Sequence, residues 1–379
     1  MNPRPNPPER PQIVFLYSDT GGGHRSAAEA ICEGLELEFP GRFDLQMVDF
    51  LRHYAPRGLN RLPDIYPTLS QFPHLWQIGY HLSDHPRRTH GMYRAVWPYA
   101  RRRLAKLVRD HPHSLLVSVH PLVNEGLGRL LQYGPQKFAT VVTDMVSTHS
   151  IWFDRRASLV VVPTEAARTR ALQLGLDGDR VHVTGMPVAQ RFCQPPAERA
   201  ELRARLGWPQ DKPVILLVGG GEGMGPLVQT ALAVDSANLP ACLVVVAGRN
   251  ESARRELEQH EWQIHHRLCG FTRQMPDFMQ AADILVTKAG PGTIAEAFIA
   301  GLPLVLYSRM PGQEDGNVQH VVEGGAGVWA PSPERVVNTL QRWLEHPAEL
   351  QAVAEAGRAL ARPQATRQTA RLLGELAER

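Results

Sequence analysis

Four cysteines in 379 residues, with no CxxC among them, leave neither a disulfide frame nor a thiolate set for a structural metal. Cys32, Cys193, Cys242 and Cys269 are scattered along the chain, as expected in a reducing compartment. Lys and Arg number 41 against 38 Asp and Glu, and a formal charge of +3 over this length argues against a general nucleic-acid binder. No apolar run approaches the roughly 18 residues that suggest a membrane-spanning helix, and nothing at the start reads as a signal peptide. No GxxxxGK[ST] occurs, which excludes a P-loop. No period of about 20–50 residues repeats, which excludes solenoids and propellers. What remains, at 43% apolar and 21% charged residues, is a soluble or membrane-peripheral chain too long for one ordinary core. Two domains are expected, in the cytosol or at the cytoplasmic face of a membrane.

What is present is α/β order, twice. The Pro-rich "MNPRPNPPERP" (1–11) reads as an extended, disordered leader. Strands are then expected at 12–18, 43–50, 114–120, 138–144, 158–163 and 180–185, with helices such as Ser26–Glu38 and Glu165–Leu174 between them. Their near-continuous Val, Ile and Leu content suits parallel strands buried on both faces. Prolines and charges break the pattern over 186–208, and it restarts with strands at 213–221, 241–248, 264–270, 283–290 and 302–308. The expectation is two Rossmann-like domains, 12–195 and 196–359, facing one cleft beyond the C-terminal ends of their strands.

Glycine turns sit at strand ends in both halves: "GGGH" (21–24), "GGGEGMGP" (219–226) and "TKAGPGTIAEA" (287–297). In the last, a strand ends at Thr287 and Thr293 opens a helix, whose free N–H groups and partial positive charge suit a phosphate. A tight turn without a ligand would also use glycine there. The first loop matches a dinucleotide fingerprint only loosely, with Ser26 at its third position, so a dehydrogenase is weakly indicated. Glu296, one turn into its helix, can accept from ribose hydroxyls or simply face solvent. Gln313, Glu314, Asp315 and Asn317 crowd one Gly-punctuated loop, where amides and carboxylates suit vicinal hydroxyls or an ordinary polar turn.

Together "SDTGGGHRSAAEAI", "SVHP", "VVTD", "PTEAARTRAL", "GMPV", "GGGEGMGP", "AGRN", "TKAGPGTIAEA" and "GQEDGNVQHVVEGG" resemble the monogalactosyldiacylglycerol synthases, in the same order from about residue 13 to 332. That family belongs with inverting sugar-nucleotide glycosyltransferases, beside diacylglycerol glucosyltransferases and the peptidoglycan N-acetylglucosaminyltransferase. The resemblance implies a GT-B fold, a UDP-hexose donor in the C-terminal domain and a diacylglycerol acceptor beside the N-terminal one. It also implies a last helix (360–379) returning to the first domain. His24 is then the general base or the group that orients the acceptor, with Asp144 and His120 in reserve. Gly22 and Gly23 give the sugar diphosphate access to the backbone. Gly220, Gly221, Gly223, Met224 and Arg249 border the donor, and the base lies near Gly270, Phe271, Thr272 and Met275. Gly290, Pro291, Gly292 and Thr293 take the phosphates, Glu296 the ribose, and Gln313, Glu314 and Asn317 the hexose. No acidic DxD pair ends an expected strand, so neither a protein-held metal nor a cofactor is expected.

A lipid acceptor requires contact with a bilayer. Residues 86–109 hold eight Arg or Lys and no acid, interleaved with Tyr93, Trp97 and Tyr99, and the preceding segment adds Tyr66, Phe72, Trp76 and Tyr80. Arg94, Arg101, Arg102, Arg103, Trp97 and Trp76 are therefore expected to face an anionic membrane surface, with His120 nearer the acceptor. The expected reaction is hexosyl transfer, galactose before glucose, to the 3-hydroxyl of 1,2-diacylglycerol. The alternatives are glucosyl transfer to the same acceptor, N-acetylglucosaminyl transfer to a lipid-linked precursor, and a non-catalytic UDP-sugar sensor.

Overall fold

The computed structural model describes residues 10–19, 22–56, 58–61, 64, 73–195, 197–221, 223 and 225–379. The leader up to residue 9, Gly21, Tyr66, Phe72 and Met224 lie outside them. Among the described residues, twelve parallel strands form two sheets. The first runs β2-β1-β3-β4-β5-β6, from β1 (Gln12–Tyr17), β2 (Asp44–Asp49), β3 (Leu115–Ser118), β4 (Phe138–Val141), β5 (Leu159–Val162) and β6 (Val181–Val183). The second runs β12-β11-β10-β7-β8-β9, from β7 (Val214–Val218), β8 (Cys242–Val246), β9 (His265–Cys269), β10 (Ile284–Lys288), β11 (Leu304–Ser308) and β12 (Gly327–Trp329). All residues of β3, β4, β5, β7 and β8 are buried, because helices cover both faces of each sheet.

Two features differ from the sequence reading. The edge strand β12 is not anticipated, since three residues beginning with glycine carry no strand periodicity; it forms because β11 offers a ladder to pair with. The first helix, α1 (Gly23–Glu38), starts earlier than Ser26, because Gly22 takes the left-handed conformation (φ 77°) and lets the chain turn into the helix at once. His24 thus stands inside the first turn.

Helices α1, α2 (Pro73–Ser83), α3 (Pro86–Asp110) and α4 (Pro291–Ala300) border the cleft, α5 (Asp315–Glu323) follows the loop that carries Gln313 and Glu314, and α6 (Ala365–Glu378) comes last. Helix α6, last in the chain, packs on α1 in the first half. Ala370 and Leu373 are fully buried there with Ile31 and Leu35. Gly34 of α1 permits the approach, since a Cβ on it would lie 3.0 Å from Thr366 Cγ2 and 3.2 Å from the Thr366 carbonyl. Thr366 accepts from the Val188 amide (2.9 Å), Thr369 meets Thr184 (2.9 Å), and Arg367 and Arg371 both pair with Glu38. Leu373→Ala opens a void between α6 and the sheet helix, and is expected to cost about 2–5 kcal/mol. A lowered denaturant midpoint for the N-terminal half checks this; an unchanged midpoint would show that α6 does not support that half.

Candidate active site

Both sheets reverse the direction of their crossovers once, between β1 and β3 and between β7 and β10, and crevices open at such points. The chain places its glycine turns there. After β1 come Gly22, Gly23 and His24; after β3 comes His120; after β7 come Gly219–Gly221; after β10 come Lys288 and Gly290. The crevices face each other and merge into one cavity of about 1450 Å³.

On the N-terminal wall, His24 Nδ1 lies 2.8 Å from the Thr143 hydroxyl, and the ring also hydrogen-bonds the backbone of Val119. Its ring packs 4.5 Å from His120 and 6.0 Å from Trp152, centroid to centroid. Burial lowers the His24 imidazole from 6.5 to about 4, against the Val119 bond. Burial also holds His120 well below its ordinary value, with His24 adding to the effect. His120 caps the turn after β3 by accepting from the Leu122 amide and packs 5.3 Å from Phe50, so it supports the wall on which His24 stands. Asp144 is buried, and both its oxygens are engaged: Trp152 Nε1 donates to one at 2.6 Å, and Gln313 Nε2 donates to the other at 2.9 Å from across the cleft. Burial raises this carboxyl to about 6, with the two donors opposing and the charge of Glu314 adding.

On the C-terminal wall, α4 begins at Gly290 with no capping side chain and Pro291 in its first turn. The first amide to bond back is Ile294, to Gly290, so the Gly292 and Thr293 amides have no helical acceptor and line the cavity. Glu296 lines it one turn on; burial raises its carboxyl to about 8, against the pull of Arg191. Glu314 is buried and carries two partners of its own, Lys288 Nζ at 2.5 Å and the Met310 amide at 2.7 Å, so it holds the loop ahead of α5 as well as bordering the cavity. Arg249 lies 4.8 Å over the ring of Phe271, and with Thr272, Met275, Gly220 and Gly221 they complete this wall.

Some expected residues stand elsewhere. Asn317 is buried outside the lining, with its amide donating to the Ala289 carbonyl. Gly223 is a packing residue: at φ 60°, a Cβ would lie 2.3 Å from the Ala247 carbonyl oxygen. Gly270 is also outside the lining. Trp97 does not face outward; it is half-buried, 6.0 Å from Tyr93 and 5.3 Å from the Arg129 guanidinium, because α3 turns that side to the core. Arg94, Arg101, Arg102 and Arg103 are exposed on α3, away from the cavity. Trp76 lines the cavity rather than the outer surface. Thr143, Trp152 and Arg191 also line the cavity, though the sequence does not single them out; Thr143 precedes Asp144 in the strand-end motif "VVTD", and Trp152 lies eight residues beyond it.

Away from the polar walls the cavity becomes apolar, bordered by Leu51, Tyr54, Met92, Tyr93, Val96 and Leu104. Of these, Met92 and Val96 are exposed, and the same two helices, α2 and α3, also expose Ile78, Leu82 and Tyr99. Among the described residues no three His, Cys, Asp or Glu side chains converge as metal ligands.

A profile described as monogalactosyldiacylglycerol (MGDG) synthase matches residues 24–188, and the glycosyltransferase family 28 C-terminal domain matches residues 214–368. A probable monogalactosyldiacylglycerol synthase 2, chloroplastic, of Oryza sativa subsp. indica is 36% identical over 367 residues, covering 93% of this chain and 78% of the relative. Monogalactosyldiacylglycerol synthase 2, chloroplastic, of Arabidopsis thaliana is 36% identical over 379 residues, covering 97% and 81%. Among solved structures, HepE of Anabaena in complex with UDP-glucose superposes with a TM-score of 0.58 at 16% identity over 97% of this chain and 100% of that one. MurG of Acinetobacter baumannii gives 0.61 at 15% over 96% and 99%. The structural likeness shows the two-domain GT-B fold expected from the sequence.

The electrostatics of the N-terminal wall can be read directly. With its imidazole lowered to about 4, unfolding takes up a proton at His24 between about pH 4 and 6.5, so stability tied to this ring falls as pH drops through that window. Asp144 contributes with the opposite sign between about 4 and 6, so a site-resolved measurement is needed. In a histidine NMR titration, His24 is expected to stay neutral from pH 8 down to about 5. A midpoint near 6.5 would show the ring to be solvated.

Proposed function

The chain belongs to the monogalactosyldiacylglycerol synthase family, and from that premise we propose that it moves galactose from UDP-galactose to the 3-hydroxyl of 1,2-diacylglycerol, with inversion at the anomeric carbon. The observation that carries this reading is the shape of the inter-domain cavity. One wall offers an uncapped helix N-terminus and a carboxyl group, the other a half-buried imidazole held neutral by desolvation, and an apolar arm leads away from them.

The donor's diphosphate belongs against the Gly292 and Thr293 amides, where the α4 dipole favours negative charge. Its ribose belongs beside Glu296, which returns to the ionised state when hydroxyl donors replace the desolvated surroundings. The uracil belongs near Phe271 and Thr272. The acyl chains suit the apolar arm, which brings the free hydroxyl towards His24. The acceptor oxygen attacks the anomeric carbon as the bond to UDP breaks, the hydroxyl proton passes to the His24 imidazole, and UDP leaves carrying the displaced electron pair. A low intrinsic basicity of the imidazole is compatible with this step, because the diphosphate brings negative charge that favours imidazolium. The uncapped amides stabilise the leaving group throughout.

Labelled UDP-galactose is expected to give a monoglycosyl lipid with diacylglycerol micelles. His24→Ala should lower kcat by about 10²–10⁴-fold while leaving UDP affinity intact. An unchanged rate would remove His24 from the chemistry, and no lipid product from the wild type would sink the acceptor assignment.

Among the described residues no helix is long and apolar enough to cross a membrane. We infer peripheral binding to the cytoplasmic face of an anionic bilayer through α2 and α3. These helices expose Ile78, Leu82, Met92, Val96 and Tyr99, and exposed arginines line α3. Replacing Arg101, Arg102 and Arg103 by alanine removes about 1 kcal/mol of surface attraction each, or about a hundredfold in total. Sedimentation with anionic vesicles should show that loss and neutral vesicles should not. Equal binding by the variant would place the membrane contact elsewhere.

A further inference from the structure

Two loops meet across the cleft, one following β4 and one leading into α5. Gln313 Nε2 donates to Asp144 at 2.9 Å, and three residues on, Ser147 Oγ accepts from the Gly316 amide at 2.8 Å. A carboxylate only accepts hydrogen bonds, whereas a primary amide has one donating and one accepting end. With its NH2 group held by Asp144, Gln313 has to turn Oε1 the other way. That oxygen has no hydrogen-bond partner among the described residues, and Gln313 lines the cavity. Asp144 cannot rotate out of the arrangement freely, because the Trp152 indole holds its second oxygen at 2.6 Å.

We propose that Asp144 is a positioning residue for the donor sugar: from the opposite domain it fixes the Gln313 amide so that Oε1 faces the hexose and accepts from one of its hydroxyls. This rests on the UDP-hexose reading and assigns Asp144 a role other than proton transfer. Each of its oxygens already receives a donor, and it reaches the reaction only through Gln313. The arrangement also ties donor recognition to domain closure, since the acceptor-side domain supplies the group that orients the donor-side amide. The charged and titratable groups around Asp144 fit a fixed carboxylate. Glu314, whose charge acts on it, is paired with Lys288. Tyr80, also coupled to it, directs its hydroxyl to the Ser147 carbonyl at 2.6 Å.

Calorimetric titration with UDP and with UDP-galactose, without any acceptor, isolates the affinity contributed by the hexose. The wild type is expected to bind UDP-galactose more tightly than UDP. Asp144→Asn, which offers Gln313 an amide that fits either of its ends, should reduce that difference by about tenfold while the Kd for UDP stays within about twofold. Gln313→Ala should lose as much, and the double variant no more than either alone, because the two side chains act as one unit. Intact UDP binding shows in each case that the variant is folded. A fall in UDP affinity equal to that for UDP-galactose, additive losses, or no hexose contribution in the wild type would each overturn the proposal. Failure to form a lipid product, with the hexose contribution behaving as expected, would sink the diacylglycerol assignment and leave Asp144 in this role.

Discussion

The constraint on which the site depends is topological. A crossover between parallel strands leaves its sheet towards one side or the other, and where neighbouring strands send their crossovers in opposite directions the loops part. The chain does this at β1 and β3 and again at β7 and β10. The glycine turns, the uncapped start of α4 and both cleft histidines all stand at those two points. The return of α6 to α1 secures the first half with buried apolar contact, so the halves are fastened on one side of the cleft and meet through polar loops on the other.

This explains which parts of the molecule were legible in the sequence. Strands buried on both faces announce themselves by uninterrupted Val, Ile and Leu, and the β–α alternation follows from their spacing; β12, paired only along one edge and three residues long, has no such signature. Glycine turns were visible as a type but not in function. Gly220 and Gly221 border the cavity, whereas Gly223 is glycine because the Ala247 carbonyl occupies the place of its side chain. Asn317 shows the same limit, since a polar residue in a polar loop reads as a ligand until its amide is found on a neighbouring carbonyl. Trp97 shows it for surfaces. A count of charges over 86–109 does not say which face of the helix a residue occupies, and the contacts with Tyr93 and Arg129 show which way the indole points. Pairs made between domains could not be read at all: nothing local in "VVTD" or "GQEDGN" says that an aspartate and a glutamine 169 residues apart share a hydrogen bond.

Burial accounts for the electrostatics. His24, His120, Asp144 and Glu296 are all displaced towards their neutral forms, and desolvation is the leading cause for each. A cleft whose own groups favour their neutral forms is suited to a dianionic leaving group. On the proposed placement of the donor, each added negative charge favours imidazolium at His24, and each hydroxyl that reaches Glu296 favours its carboxylate. The helix N-terminus needs no such change, because its dipole is fixed and already points at the site of developing charge.

The same desolvation bears on which nucleophile reacts. An activated sugar beside a neutral imidazole hydrolyses if water takes the acceptor's place, so a transferase has to bring acceptor and donor together in a site that holds little water. Here the acceptor's approach is an apolar arm whose rim carries exposed Met92 and Val96, a surface that a lipid wets better than water does. The opposite wall is closed by the Asp144–Gln313 and Ser147–Gly316 contacts between the domains. In the proposed reaction the two sides of the centre therefore differ in chemistry: an apolar arm suited to the lipid, and a polar seam made between the two domains. A fold with two separate sheets can satisfy both, because each wall belongs to a different domain and carries its own half of the substrate pair.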